Sequence, residues 1–255
     1  YEDFLRSLER PRAVALRFNP LKGDVPSMDF VREPVPWEPR GFYYDPDSRP
    51  GLHVYHEAGV YYLQEASAMA PVALLDPQPG ERICDLCAAP GGKTMLAAEK
   101  AAKILARDVS EQKVEKIKLN CERMKLSHKV ETEVWDATIT DESKKEWADV
   151  VFMDVPCSGL GVMGKKRDIK YHVTPESLES LAELQKQIVE SSWQYVKKGG
   201  VLMYSTCTIH RKENQDMVRF ICENYPFVLE EEKQILPGYA EADGFYFARL
   251  RRTAE

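Results

Sequence analysis

Residues 81–94 read ERICDLCAAPGGKT, and this stretch decides the fold class. An apolar strand ends at Asp85, a turn of small residues and glycines follows, and a helix is predicted to begin near Lys93. Glycine and alanine allow a ligand to approach the backbone, and the start of a helix offers unpaired N–H groups. A tight turn without a ligand is the alternative. A nucleoside triphosphate site is disfavoured because the P-loop motif needs glycine where Cys87 stands.

The alternation of strand, turn and helix continues to the end of the chain. The predicted helices span about 93–103, 111–124, 175–197 and 212–224, and the predicted strands are ERICDL, ILARD, VETEVW, ADVVFMD, GGVLMYSTC and GFYFARL. This pattern is typical of an α/β fold with a mostly parallel sheet, helices on both faces and ligands beyond the carboxyl ends of the strands. We assign residues 76–255 to this unit.

Residues 1–75 have a different composition, rich in proline, glycine and aromatic residues, as in VREPVPWEPRGFYYDPDSRPG. Short strands are predicted over 13–18 and 60–63, and a helix over 64–75. We interpret this part as a small accessory extension that binds RNA. Because the chain begins on Tyr1 rather than Met, we expect it to be a piece of a longer protein.

The composition indicates a globular protein, with 255 residues, 44% hydrophobic residues and a formal net charge of −6. No apolar run approaches the ~18 residues of a membrane span, and the first residues lack a signal-peptide pattern, so we expect a cytoplasmic protein. The six cysteines are scattered, which favours reduced thiols. Cys84 and Cys87 have the spacing of a zinc or redox site, but no second pair follows, so no metal is expected.

Acidic residues stand at the ends of the second and third predicted strands. Asp108 is placed to accept hydrogen bonds from both hydroxyls of a ribose, or to cap the helix that follows. Asp136 is placed to accept a hydrogen bond from an adenine amino group. The glycine-rich loop lacks the dinucleotide signature, so these residues indicate a cofactor that carries adenosine but no pyrophosphate, such as S-adenosyl-L-methionine.

Two further strands each bring a cysteine to the same edge, Cys157 after ADVVFMD and Cys207 at the end of GGVLMYSTC. A single buried cysteine is often only a small hydrophobe, but two beside a cofactor loop favour chemistry. Carbon 5 of a pyrimidine accepts a methyl group once a thiolate has added to carbon 6, and a second group must then remove the proton from carbon 5. Asp154 is placed to protonate or hydrogen-bond the ring, and as a proton donor it would need a raised pKa.

Three segments, ICDLCAAPGGKT, DVPCSG and YSTCT, resemble the signatures of the Sun/Fmu family of RNA cytosine-5 methyltransferases, and LRFNPLKG and YYLQEASAM resemble segments upstream of them. The resemblance implies a class I methyltransferase fold, Rossmann-like with a seven-stranded sheet, plus a small N-terminal α+β extension. It also implies that Cys207 is the nucleophile and that Cys157 assists product release. The implied S-adenosylmethionine-binding residues are Cys87, Ala88, Ala89, Pro90, Gly91, Gly92, Lys93, Asp108, Asp136 and Asp154.

The chain departs from the family pattern at two positions. Arg167 stands where family members usually carry proline, and Gln215 where they often carry glutamate. The first departure concerns a loop that is expected to contact the substrate. Because the resemblance is closest to bacterial members that act on small-subunit RNA, 16S ribosomal RNA is favoured over transfer RNA as the substrate.

A cationic and aromatic segment follows the fourth strand and is predicted to grip phosphates and stack a base, with a solvated surface loop as the alternative. Its basic residues are Lys165, Lys166, Arg167 and Lys170, followed by Tyr171 and His172. Further arginines are predicted to extend this basic track at both ends of the chain, namely Arg6, Arg10, Arg12, Arg17, Arg249, Arg251 and Arg252.

Rival functions remain open. A DNA cytosine methyltransferase would use Cys157, which follows Pro156, as its nucleophile. An amino-group methyltransferase would carry a different motif after the fourth strand. A non-catalytic RNA-binding scaffold would need neither cysteine. No obligate protein partner is indicated.

Overall fold

The computed structural model describes residue 6 and residues 13–101, 103–237 and 241–254. Arg10 and Arg12, predicted to belong to the basic track, lie outside the described residues. Within the described ranges, no helix combines the length and the apolar character needed to cross a membrane.

The N-terminal part forms an antiparallel four-stranded sheet of order β2-β3-β1-β4. Its strands are β1 (Ala15–Phe18), β2 (Val31–Pro34), β3 (Gly41–Tyr44) and β4 (Tyr61–Leu63), and the four-residue helix α1 (Val54–Glu57) precedes β4. The strands predicted over 13–18 and 60–63 are confirmed. Leu16, Phe18 and Tyr61 form the small core of this sheet.

Helix α2 (Ala66–Leu75) connects the two sheets, and the helix predicted over 64–75 is confirmed. The Glu65 side chain caps it by accepting a hydrogen bond from Ala68 N. Most of its residues are buried because it packs against helix α3 and strands β9 and β11 of the second unit. The N-terminal part is therefore held directly against the larger sheet.

The larger sheet has seven strands in the order β10-β11-β9-β8-β5-β6-β7, and only β11 runs against the others. The predicted mostly parallel sheet is confirmed. Its strands are β5 (Arg82–Asp85), β6 (Lys103–Asp108), β7 (Val130–Val134), β8 (Ala148–Asp154), β9 (Val196–Thr206), β10 (Phe227–Ile235) and β11 (Phe245–Arg252). The strand order reverses beside β5, and ligands of such sheets bind at this point, beyond the carboxyl ends.

Helices cover both faces of this sheet, as predicted. Alternate residues of β5 show the arrangement, because Ile83 joins the apolar cluster of one face and Cys84 that of the other. The first face holds α3 (Gly92–Ala98) and α4 (Glu111–Arg123), and the second holds α6 (Pro175–Ser192) and α7 (Gln215–Asn224). The short helix α5 (Ile169–His172) lies between β8 and α6 in the chain.

Two predicted helices need correction, and one strand was missed. The first predicted helix ends at Ala98 rather than near 103, because β6 begins at Lys103. The helix predicted to reach 197 ends at Ser192, because Val196 already pairs with Ala148 in the sheet. Strand β10 was not predicted, since its run of Glu230, Glu231 and Glu232 conceals the strand pattern of an exposed edge.

Four of the seven arginines predicted to extend the basic track lie away from it. Arg17 is fully buried in β1, where it forms an ion pair with Glu99 just after α3. Arg252 is buried as well and pairs with Glu146. Arg249 and Arg251 both pair with Glu230 and, because β11 is antiparallel, lie near the amino ends of the parallel strands, opposite the ligand edge.

Candidate active site

The carboxyl ends of β5 and β8 border a cleft of about 210 Å³ beside the glycine-rich loop. Asp85 and Asp154 line it from the ends of β5 and β8. The predicted loop residues that line it are Cys87, Ala88, Ala89, Pro90, Gly92 and Lys93. Tyr62, Gln64 and Glu65 close it from the N-terminal part, and sequence reasoning did not assign these three to the site.

The two glycines of the loop have separate structural reasons. Gly91 precedes α3 with φ of 100°, a left-handed conformation that favours glycine. A Cβ atom on Gly92 would lie 3.3 Å from Tyr62 Cε1 and 3.4 Å from Gln64 Cδ. The small side chains predicted to admit a ligand thus also allow the N-terminal part to pack closely on the loop.

Asp85 is a buried acid that was not predicted to belong to the site. Its position at the end of a predicted strand could have indicated this role. It is 2% exposed, and its Oδ2 accepts a hydrogen bond of 2.6 Å from Thr94 Oγ1. Its Oδ1 has no hydrogen-bond partner among the residues that the structure describes. Burial, with a contribution from the nearby Asp154 charge, raises the pKa of Asp85 to about 7.

An unpartnered buried carboxylate oxygen beside a cleft fits a ligand that brings an N–H donor or a positive charge. S-adenosylmethionine carries both, so the residues present fit the cofactor that the sequence indicates. The sequence also predicts Asp108 and Asp136 as acceptors for this cofactor.

Asp108 and Asp136 have different surroundings. Asp108 is 4% exposed and accepts hydrogen bonds of 3.3 Å from Ala89 N and from Ser110 N, so it ties the glycine-rich loop to the start of α4. Asp136 is exposed and accepts hydrogen bonds from Thr138, which lower its pKa. Only Asp108 is therefore in contact with the loop. Neither Asp108 nor Asp136 lines the cleft.

The two predicted cysteines meet. Cys157 and Cys207 come from the ends of the adjacent parallel strands β8 and β9, and their Sγ atoms are 3.4 Å apart. Hydrogen bonding from the Cys157 thiol lowers the pKa of Cys207, and Lys93 and Lys166 reinforce this effect against burial and Asp154. The same hydrogen bond, burial, the charge on Cys207 and, least of all, the charge of Glu213 raise the pKa of Cys157 against a backbone hydrogen bond from Gly159. When one of the two thiols is ionised, these effects favour the charge on Cys207 and the proton on Cys157.

Lys93 and Asp154 form an ion pair of 2.7 Å beside the thiols. Burial opposes the charge on Lys93, but the adjacent Asp154 carboxylate outweighs it and raises the pKa of Lys93. The second oxygen of Asp154 accepts a hydrogen bond of 2.7 Å from Ser205 Oγ. Because both oxygens already accept hydrogen bonds, this geometry suits a carboxylate acceptor rather than the proton donor considered in the sequence analysis.

Backbone hydrogen bonds from two glycines hold the loop that carries Cys207. Gly161 N donates to Cys207 O at 3.1 Å, and Gly244 N donates to Gly161 O at 2.8 Å. A Cβ atom on Gly161 would overlap Gly244 O and lie 2.8 Å from Cys207 O. Next to Gly244, Asp243 N donates to Glu65 Oε1 at 2.9 Å, which connects this hydrogen-bonded loop to the N-terminal part.

The predicted RNA-binding residues lie on an exposed segment that runs into α5. Lys165 lines the cleft itself, and Lys166 is near enough to influence Cys207. Tyr171 is 75% exposed, with Lys170 Nζ 4.9 Å from the centre of its ring. All four basic residues of the segment, Lys165, Lys166, Arg167 and Lys170, are exposed.

The Cys84 and Cys87 pair is split by the fold, since Cys84 is fully buried in the core while Cys87 lines the cleft. In the part of the chain that the structure describes, no group of three or more His, Cys, Asp and Glu side chains is arranged to hold a metal ion.

Comparison with known proteins gives consistent matches along the chain. The model of the 16S rRNA methyltransferase RsmB/F family matches residues 72–251, and that of the N-terminal domain of 16S rRNA methyltransferase RsmF matches residues 1–66. A ribosomal RNA small subunit methyltransferase F from Klebsiella pneumoniae is 33% identical over 100% of this chain. The chain spans 60% of the length of that relative.

Two solved structures share the fold over almost the whole chain. The protein PH0851 superposes with a TM-score of 0.90 at 30% identity, covering 98% of this chain and 62% of that one. A methyltransferase homolog protein from Pyrococcus horikoshii superposes with a TM-score of 0.85 at 27% identity, covering 98% of this chain and 90% of that one. The predicted class I methyltransferase fold is confirmed.

Proposed function

Because the chain belongs to the RsmB/F family of 16S rRNA methyltransferases, we propose that it methylates carbon 5 of a cytosine in RNA through a covalent cysteine adduct. The observation that carries the proposal is the pair of thiols 3.4 Å apart at the ends of β8 and β9. Methylation of an amino group or of a ribose oxygen needs no thiol, whereas carbon 5 of cytosine needs a nucleophile and a base. S-adenosylmethionine supplies the methyl group as an electrophile.

Cys207 is the nucleophile in this scheme. Its Sγ adds to carbon 6 of the cytosine, and the electron pair displaced from the carbon 5–carbon 6 double bond makes carbon 5 able to accept the methyl group. Lys93 and Lys166 support the charge on Cys207 before the attack. A thiolate held at neutral pH is the state that this step requires.

Cys157 completes the reaction by removing the proton from carbon 5. Once Cys207 has become a thioether, it no longer carries the charge that held the proton on Cys157, so Cys157 can lose that proton to solvent and act as the base. Loss of the carbon 5 proton then restores the double bond and expels Cys207 as a thiolate. The short Sγ–Sγ distance keeps both groups within reach of one ring.

Asp154 gives preference for cytosine over uracil in this proposal. Its carboxylate, fixed by Lys93 and Ser205, accepts a hydrogen bond from the exocyclic amine of cytosine. Uracil has a carbonyl oxygen at that position and would face the carboxylate with unpaired acceptors, which is unfavourable in a buried site. The cofactor is held by the glycine-rich loop, Asp85, Asp108 and Asp136.

Ribosomal RNA of the small subunit is the proposed substrate, supported by the family and by the relative from Klebsiella pneumoniae. The exposed residues 165–172 supply cations and an aromatic ring beside the cleft, as expected for a base drawn out of structured RNA.

The test is methyl transfer from radiolabelled S-adenosylmethionine to unmodified small-subunit RNA, transfer RNA and DNA, followed by bisulfite sequencing of the products. We expect methylcytosine at a defined position of the small-subunit RNA, and no transfer by a Cys207→Ala variant. Methylation of DNA alone, or transfer to RNA at a position other than carbon 5, would refute the proposal.

A further inference from the structure

Glu213 is a fully buried carboxylate that the scheme above does not use. It ends the 3-10 turn after β9, and its side chain is 0% exposed. Its Oε2 accepts hydrogen bonds from Ser158 N at 2.8 Å and from Gln185 Nε2 at 3.2 Å, and its Oε1 accepts one from Ser158 Oγ at 2.5 Å. Burying a charge is costly unless several donors surround it, so this arrangement needs a reason.

These hydrogen bonds join the two segments that carry the thiols. Ser158 directly follows Cys157, and its Oγ lies 2.8 Å from the Oγ1 of Thr208, the residue after Cys207. Gln185, on helix α6, also donates to Pro156 O at 2.9 Å, on the other side of Cys157. Cys157 is therefore held at both neighbouring residues by one buried network centred on Glu213.

We propose that Glu213 is a positioning residue that fixes the two thiols against each other and, by its negative charge, directs the thiolate to Cys207 rather than to Cys157. The inference rests on the proposed function, in which Cys207 attacks and Cys157 stays protonated until later. A neutral network could fix the geometry equally well, so the charge itself is what the proposal explains.

The charged groups around the two sulfurs are distributed unequally. Cys207 faces the cations Lys93 and Lys166, together with the carboxylate of Asp154. Cys157 faces Cys207, the Glu213 carboxylate and the backbone N–H of Gly159, with the hydroxyl of the buried Tyr204 also nearby. His210 Nδ1 lies 3.7 Å from Oε1 of Glu213. A negative charge on Cys157 would thus lie beside a buried anion, whereas a negative charge on Cys207 lies beside two cations.

The experiment measures which sulfur carries the charge. The cofactor-free 255-residue chain is treated briefly with iodoacetamide at pH 7.5, and modification at each cysteine is quantified by peptide mass spectrometry. We expect Cys207 to react faster than Cys157 in the parent protein. In Glu213→Gln, which keeps the shape and removes the charge, the ratio of the two rates should fall about tenfold, as for a change of one pKa unit.

Two further variants separate charge from packing. Glu213→Asp keeps the charge with a shorter side chain, and should keep the preference for Cys207 even if methyl transfer slows. Glu179→Gln is the matched control, because Glu179 is an exposed carboxylate that pairs only on the surface with Lys212 among the described residues, and the ratio should not change. If Glu213→Gln does not fold, Glu213→Asp decides, since equal modification of both cysteines in that variant would overturn the proposal.

An unchanged ratio in a folded Glu213→Gln protein would also overturn it. The alkylation needs neither RNA nor cofactor, so its outcome is independent of the proposed function. If the rate ratio falls as expected in Glu213→Gln but the parent protein methylates no RNA, the proposed function is refuted. The role of Glu213 in placing the charge on Cys207 is then still supported.

Discussion

Replacing Asp85 by Asn should stabilise the cofactor-free protein. The unfolded chain releases the Asp85 proton near pH 3.9, but burial raises its pKa to about 7 in the folded protein. A carboxyl group whose pKa is raised on folding weakens the fold as the pH rises between these two values, and the loss is complete above about pH 7. The difference corresponds to about 4 kcal/mol. Asparagine avoids this cost and still accepts the hydrogen bond from Thr94.

The assay is urea unfolding of both proteins at pH 6 and pH 8, monitored by tryptophan fluorescence. The gain in free energy of unfolding should be greater at pH 8 than at pH 6 by about 1.4 kcal/mol, because the parent protein still retains the proton at pH 6. The control is Asp149→Asn. Hydrogen bonds from Lys197 and Arg82 N lower the pKa of Asp149 against the effect of burial, so this variant should be destabilised at pH 8.

The same Asp85→Asn variant should bind S-adenosylmethionine more weakly. A hydrogen bond to a charged group contributes about 1.5–3 kcal/mol, so the dissociation constant measured by calorimetry should rise about 10-fold to 100-fold. A variant that is less stable than the parent at pH 8, or whose gain is the same at both pH values, would refute the reasoning about Asp85.

Three other substitutions test separate parts of the structure. Lys93→Gln removes a cation that supports the Cys207 thiolate, so alkylation of Cys207 at pH 7 should slow about tenfold by peptide mass spectrometry. Gly161→Ala places a methyl group against the carbonyl oxygen of Cys207, and methyl transfer should fall about 100-fold because the thiol is displaced. Arg17→Met leaves a buried carboxylate without its partner and should lower the free energy of unfolding in urea by about 3–5 kcal/mol.

Each of these has a control. A Cβ atom on Gly164, in the same segment, would have nothing within 4 Å, so Gly164→Ala should keep full activity. An equal loss of activity in Gly161→Ala and Gly164→Ala would argue against the role of Gly161 in positioning Cys207. Adding Glu99→Gln to Arg17→Met should restore part of the lost stability, and no recovery would argue against the ion pair. An unchanged alkylation rate in Lys93→Gln would show that Lys93 does not stabilise the Cys207 thiolate.

Much of the fold follows from local pattern. Strand–turn–helix alternation predicts a parallel sheet, and strand ends of such a sheet share one edge, so the meeting of Cys157 and Cys207 was predictable although 50 residues separate them. Strand β10, at the edge of the sheet, was not predictable from its sequence. Because only one of its faces is buried, a few apolar residues such as Phe227 and Ile235 stand among charged ones.

The parts that sequence reasoning missed depend on contacts between distant residues. Arg17 was predicted to be an exposed cation, yet it is buried against Glu99, 82 positions along the chain. Glu213 reaches Ser158 across 55 positions, and nothing in the local run RKENQ marks it as buried. Likewise, the raised pKa of Asp85 arises from three-dimensional burial, which composition and spacing do not encode.

The central claim is that Cys207 forms a bond to carbon 6 of the target cytosine. Small-subunit RNA with 5-fluorocytosine in place of cytosine tests this directly, because fluorine at carbon 5 cannot be removed as a proton and the adduct persists on a denaturing gel. The account predicts the covalent complex for the parent protein and for Cys157→Ala, and none for Cys207→Ala. A complex that survives in Cys207→Ala and is lost in Cys157→Ala would contradict it.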